Sequence, residues 1–140
     1  MITDLGHLAI AANDLERSLA FYARLGLHES FRLHHDDGTL MLVYLHISGD
    51  RFIEIFPNGP KPDPDRQGSF MHVCLVVDDL HATVARFQKE GVVMEQDPKV
   101  GLDHNWQAWI RDPDGNSIEL MQLAETSPQK KVARGEEAKL

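Results

Sequence analysis

A single cysteine, Cys74, stands in a chain of 140 residues, so no disulfide can form within it. A reducing compartment, the cytoplasm, suits that usage. No apolar run approaches the roughly 20 residues that cross a bilayer as a helix. Positive charge is scarce as well: 14 Lys and Arg face 22 Asp and Glu, a formal charge of −8. An acidic balance argues against a groove for phosphates and against an anionic membrane surface, so neither nucleic acid nor membrane is expected as a partner. The opening residues lack the cationic start and apolar stretch of a secretion signal. There is no Gly-rich phosphate loop and no G-x-S-x-G elbow. What is left, 42% apolar, is the composition of an ordinary acidic globular chain. At this length it can bury about two-thirds of its unfolded surface, as one domain or two small fused halves.

The chain is written twice. A shift of 65 residues lays Gly6–Ala12 on Met71–Val77, Asp14-Leu15 on Asp79-Leu80, Gly26 on Gly91, and Phe52–Phe56 on Ser117–Met121. Identities are sparse, but the structural signals repeat in order. Each half opens with a short apolar run, 7–12 or 72–77, of strand length. Asn13 or Asp14, with Glu16 placed to close a capping box from Asn13, and Asp78 or Asp79 then offer helix N-caps. Leu15, Leu19, Tyr22 and Ala23 follow at helical spacing and Gly26 stops the helix; Leu80, Val84, Phe87 and Gly91 repeat this. Three strand-like segments come next in each half. Their turns are His35–Gly38, Ser48–Asp50 and the strong hairpin signal Asp112-Pro113-Asp114-Gly115-Asn116. Each half reads βαβββ, over about 5–57 and 69–123, with a Pro-rich linker at 57–68. Residues 124–140 form a polar tail expected to fray, or to dock loosely as a helix at most.

Strand periodicity places the chemistry. Alternation puts Phe52, Glu54 and Phe56 on one face, and Ser117, Glu119 and Met121 on one face of the matching strand. His7 shares its face with Ala9 and Ala11, His72 with Cys74 and Val76. Two imidazoles and two carboxylates are thus expected buried in apolar strands at matched places. A buried carboxylate needs a partner, because an unpaired one is costly or takes up a proton. A divalent metal satisfies all four groups at once, and nitrogen with oxygen donors suits zinc, nickel, cobalt, iron or manganese. Two His–Glu pairs without metal are the simpler alternative. Cys74 is expected in the core, and His34 and His35 as turn residues. The stretch Asp103-His104-Asn105-Trp106 is either a loop that selects substrate or an ordinary polar loop.

Paired βαβββ modules carrying His7, Glu54, His72 and Glu119 in that order resemble the vicinal oxygen chelate superfamily, which has the glyoxalase, bleomycin resistance protein and dioxygenase fold. The nearest resemblance is to short bacterial glyoxalase I (lactoylglutathione lyase). Asp112–Leu120 matches the family's DPDGxxIEL segment and Asn13–Tyr22 its first-helix segment, and the likeness covers residues 5–123. It implies an α+β fold of two tandem modules, curved mixed sheets around a metal cleft. It implies one divalent metal per site, nickel, cobalt or zinc, held by His7, Glu54, His72 and Glu119. The activity implied is a lyase or isomerase moving a proton on a small α-oxo substrate, such as a thiol hemithioacetal, through a metal-stabilised enediolate. Glu119 would be the catalytic base and Glu54 the remaining carboxylate ligand, the two exchanging roles for mirror-image substrates.

Two positions depart from that pattern. Ala11 stands where glyoxalase I usually carries an arginine that holds the glutathione carboxylate, and about Asn105 is the place where some members carry a lysine. Asn58 does match a glutathione-contacting asparagine, and His104 and Trp106 are further substrate-binding candidates. Short chains of this kind pair as C2 homodimers whose sites draw on both subunits. The alternatives within the superfamily are a ring-cleaving dioxygenase using iron or manganese, an epimerase, a thiol transferase, or a non-catalytic drug-binding resistance protein.

Overall fold

The computed structural model describes residues 1, 3–65 and 68–138. The fold is α+β: strand, helix and three strands, twice over, then a short final helix. It divides into two units, Met1–Arg66 with Asp112–Gly115, and Gln67–Arg111 with Asn116–Leu140.

The first unit holds β1 (His7–Ala11), α1 (Leu15–Arg24), β2 (Glu29–His34), β3 (Leu40–Ser48) and β4 (Arg51–Phe56). Its sheet runs β1-β4-β3-β2, with β1 parallel to β4 and the other neighbours antiparallel. Asp14 is the N-cap of α1, its carboxylate accepting from the Arg17 amide at 3.1 Å. Asn13 does not cap the helix; its backbone N–H donates to Asp114 at 2.8 Å. Gly26 ends the helix at φ +86°, a left-handed conformation that side chains resist. Alternation splits the strands by face. Val43, Leu45, Ile53 and Ile55 point one way and are at most 1% exposed, while Tyr44 and Glu54 point the other.

The second unit holds β5 (Val73–Val76), α2 (Leu80–Lys89), β6 (Met94–Val100), β7 (Trp106–Arg111), β8 (Ser117–Gln122) and α3 (Pro128–Ala133). Its sheet order, β5-β8-β7-β6, repeats the first, again with one parallel pair. Pro98 sits in β6, an edge strand, where a missing N–H leaves no ladder broken. Asp79 caps α2 by accepting from the Ala82 amide at 2.9 Å. The helix lies over β6, β7 and β8, and its buried Leu80, Val84 and Phe87 belong to a core with Ala108, Ile110, Ile118 and Leu120.

The tail is better held than its composition suggests. Ser127 caps α3, and Gln129 donates to Asp103 at 2.7 Å and accepts from Asn105 at 3.1 Å. Asn105, fully buried, also accepts from the Ala124 amide at 2.8 Å. The expected frayed or loosely docked segment is therefore a short helix tied to the loop before β7. Polar side chains that read as solvated in sequence are each other's partners here.

The Asp112–Gly115 turn packs in the first unit. Asp114 accepts from the Ser18 hydroxyl at 2.9 Å, and the buried Asp112 accepts from the Tyr22 hydroxyl at 2.8 Å. Tyr22 is 2% exposed, and burial first, then the Asp112 charge, pushes its pKa far above the usual phenol range. Asp112→Ala strands that hydroxyl in the core and is expected to cost about 1–3 kcal/mol. Urea unfolding measures this, and an unchanged midpoint would show the bond to be dispensable.

Candidate functional site

Each unit brings one histidine and one glutamate together on the sheet face opposite its apolar core. In the first, β1 and β4 run in register with His7 opposite Phe52 and Ala9 opposite Glu54. This sets His7 Nε2 3.6 Å from Glu54 Oε2. Glu54 is 7% exposed. Tyr44, its direct partner on β3, hydrogen-bonds the carboxylate, and that bond raises the phenol's pKa.

The second unit repeats the arrangement. Glu119 of β8, 6% exposed, lies between Cys74 of β5 and Trp109 of β7 in the register. His72 Nε2 stands 3.2 Å from Glu119 Oε2, and its ring meets Trp109 edge-on at 4.8 Å between centroids. The Cys74 thiol is pushed up to about 12, by partial burial first and then by the Glu119 carboxylate to which it hydrogen-bonds. Without a metal beside it, it is a thiol at neutral pH.

Burial departs from expectation in an informative way. The two carboxylates are buried, but the imidazoles are open: the side chains of His7 and His72 are 53% and 36% exposed. Cys74, expected in the core, is exposed too. All three lie on β1 or β5 or at its start, and these are edge strands, which a sheet covers on one side only.

The donor set fits a divalent ion. Two ligand atoms each about 2.1 Å from a common ion stand about 3.0 Å apart at a right angle and about 3.4 Å apart at a tetrahedral one. The observed separations of 3.6 and 3.2 Å need shifts of only a few tenths of an ångström. Among the described residues no group of three or more His, Cys, Asp or Glu stands together as a metal site. Each pair by itself offers one nitrogen and one oxygen donor.

The substrate-binding candidates fall in different places. Asn58 follows β4, exposed, with φ +63°. Its neighbour Gly59 crosses the end of β1 so closely that a Cβ there would strike the Ala11 carbonyl. His104 is exposed at φ +67° in the loop before β7. Trp106 lies on the helix-facing side of β7, 4.7 Å from the His81 ring of α2, and so away from Glu119. The tryptophan beside Glu119 is Trp109. Tyr44 and Trp109 were legible: both are one strand over from a glutamate, and they are related by the same 65-residue shift.

Comparison with known proteins agrees with this architecture. The family model described as Glyoxalase/Bleomycin resistance protein/Dioxygenase superfamily matches residues 4–120. A probable lactoylglutathione lyase of Vibrio parahaemolyticus serotype O3:K6 is 32% identical over 86% of this chain and 91% of its own. A mitochondrial methylmalonyl-CoA epimerase of Dictyostelium discoideum is 27% identical over 89% of this chain and 79% of its own. The crystal structure of SMU.1112c superposes with a TM-score of 0.74 at 23% identity, covering 86% of this chain and 99% of that one.

Proposed function

The chain belongs to the Glyoxalase/Bleomycin resistance protein/Dioxygenase superfamily, and from that premise we propose that it is a metal-dependent lyase or isomerase that moves a proton on a small α-oxo substrate. The observation that carries this reading is the repeated pair: a buried glutamate beside an open histidine, at matched places in both units. His7, Glu54, His72 and Glu119 would hold the ion, and the relative named as a probable lactoylglutathione lyase supports the reaction class. When bound, a divalent cation supplies Lewis-acid stabilisation of negative charge on adjacent substrate oxygens.

The protein's own part is proton transfer and positioning. Glu119 removes the proton next to the carbonyl and returns it to the neighbouring carbon, as general base and then general acid. Glu54 stays a ligand, steadied by the Tyr44 hydroxyl. Delivering a proton to the same carbon on its opposite face would instead make the reaction an epimerisation, the activity named for the Dictyostelium relative. Four ligands need both pairs, and a C2 homodimer whose sites draw one pair from each chain supplies them.

The test is isomerisation of methylglyoxal hemithioacetals of several thiols after loading with nickel, cobalt or zinc. Turnover with at least one metal is expected. Ala11 and Asn105 offer no charge clamp, so the glutathione adduct should show a raised KM. A micromolar KM with high turnover on that adduct would mean another residue binds its carboxylates. Neither turnover nor bound metal would favour a sequestering protein. Light scattering on the same samples reads the assembly, and a monomer that keeps its metal would overturn the shared site.

A further inference from the structure

The Glu54 face of the first unit carries an aromatic cluster that holding a metal does not require. Phe31 of β2 stacks on Tyr44 of β3, centroids 4.4 Å apart and planes 19° apart. Phe52 of β4 meets both rings edge-on, at 6.4 and 5.7 Å, and His46 lies 5.1 Å from Phe52. Phe31 is the direct cross-strand partner of Tyr44, and Tyr44 of Glu54. Rings and carboxylate therefore form one row across the sheet. The cluster is not sealed: Phe31 is 45% exposed, and Leu33, two residues along the same face, is 40% exposed.

The second unit shows that the fold does not demand this lining. A shift of 65 residues replaces Phe31 by Gln96, Leu42 by Gln107, His46 by Arg111 and Phe52 by Ser117, while Tyr44 becomes Trp109. Gln96, Trp109 and Glu119 are aligned in the equivalent row. The histidine and glutamate repeat; the apolar lining does not. Half-exposed rings that lead straight to a buried carboxylate are apolar area available to whatever reaches that carboxylate.

We propose that Phe31, Tyr44 and Phe52 form a specificity element, selecting α-oxo substrates that bear an aryl or similarly flat apolar group and placing the oxo end at Glu54. This rests on the reading of His7 and Glu54 as ligands of a lyase, and its test separates the two.

The full-length protein, with no metal added, is titrated with phenylpyruvate and with pyruvate while the aromatic ring resonances are followed by NMR. Phenylpyruvate should shift the Phe31, Tyr44 and Phe52 signals, and pyruvate should not. With metal, KM is measured for the 2-mercaptoethanol hemithioacetals of phenylglyoxal and methylglyoxal. Phe31→Ala should raise KM for the aryl substrate about five- to ten-fold more than for the methyl one, and Phe31→Leu should fall between. Phe31 is too exposed for its loss to unfold the sheet, and an unchanged urea midpoint verifies this. Absent ring shifts, equal KM changes on both substrates, or an altered assembly size without altered selectivity would each overturn the element. Ring shifts without turnover on any metal would support the element and sink the lyase reading.

Discussion

His7→Ala and His72→Ala should each lower divalent-metal affinity by about 100-fold or more, because in the proposed site each is a direct ligand. The fold should survive. Both imidazoles are open and stand on or beside edge strands, so truncation leaves no cavity in either core. Titration calorimetry against a competing chelator, with circular dichroism as the control for folding, reads both quantities. Unchanged stoichiometry and affinity in both variants would leave two His–Glu pairs and no metal site.

Glu119→Gln should reduce kcat by about 10²–10⁴ with metal still bound, since the amide keeps the shape and one oxygen but accepts no proton at neutral pH. Glu54→Gln should do less for the favoured enantiomer. The surroundings of the two carboxylates differ in a way that agrees with unequal roles. Glu54 accepts a bond from a phenol, whereas the group on Glu119 is a thiol, a weaker donor. Rates on each enantiomer, with metal content measured on the same samples, decide this. Equal losses would mean that the carboxylates act as one unit.

Much of this was legible in the order of residues. The 65-residue shift, with Gly26 and Gly91 as helix stops and Asp14 and Asp79 as caps, predicts both units and the pairing of His7 with Glu54 and His72 with Glu119. Alternation alone placed the glutamates on the faces where they lie. What sequence hid was which strands end a sheet. A strand read as apolar is taken as covered on both sides, so His7, His72 and Cys74 were expected inside. β1 and β5 are edges, and their site faces are open. Trp106 shows a second limit. A loop can be recognised, but the facing of its last residue depends on the register of β7 with β8, and that turns Trp106 to α2 and Trp109 to Glu119. The tail shows a third, since hydrogen bonds between Gln129, Asp103 and Asn105 join residues that no local pattern relates.

The Asp112–Gly115 turn has a consequence for how the protein is made. A nascent chain leaves the ribosome in order, and most of the first unit is available once 66 residues have emerged. Three of its hydrogen bonds nevertheless wait. The partners of Asn13, Ser18 and Tyr22 lie 101, 96 and 90 residues downstream. Until they arrive, Tyr22 has no acceptor for a hydroxyl that belongs in the interior, and the α1 surface stays unfinished. The contacts that finish the N-terminal half are thus made only with the chain's last hairpin, so its full stability comes late in synthesis.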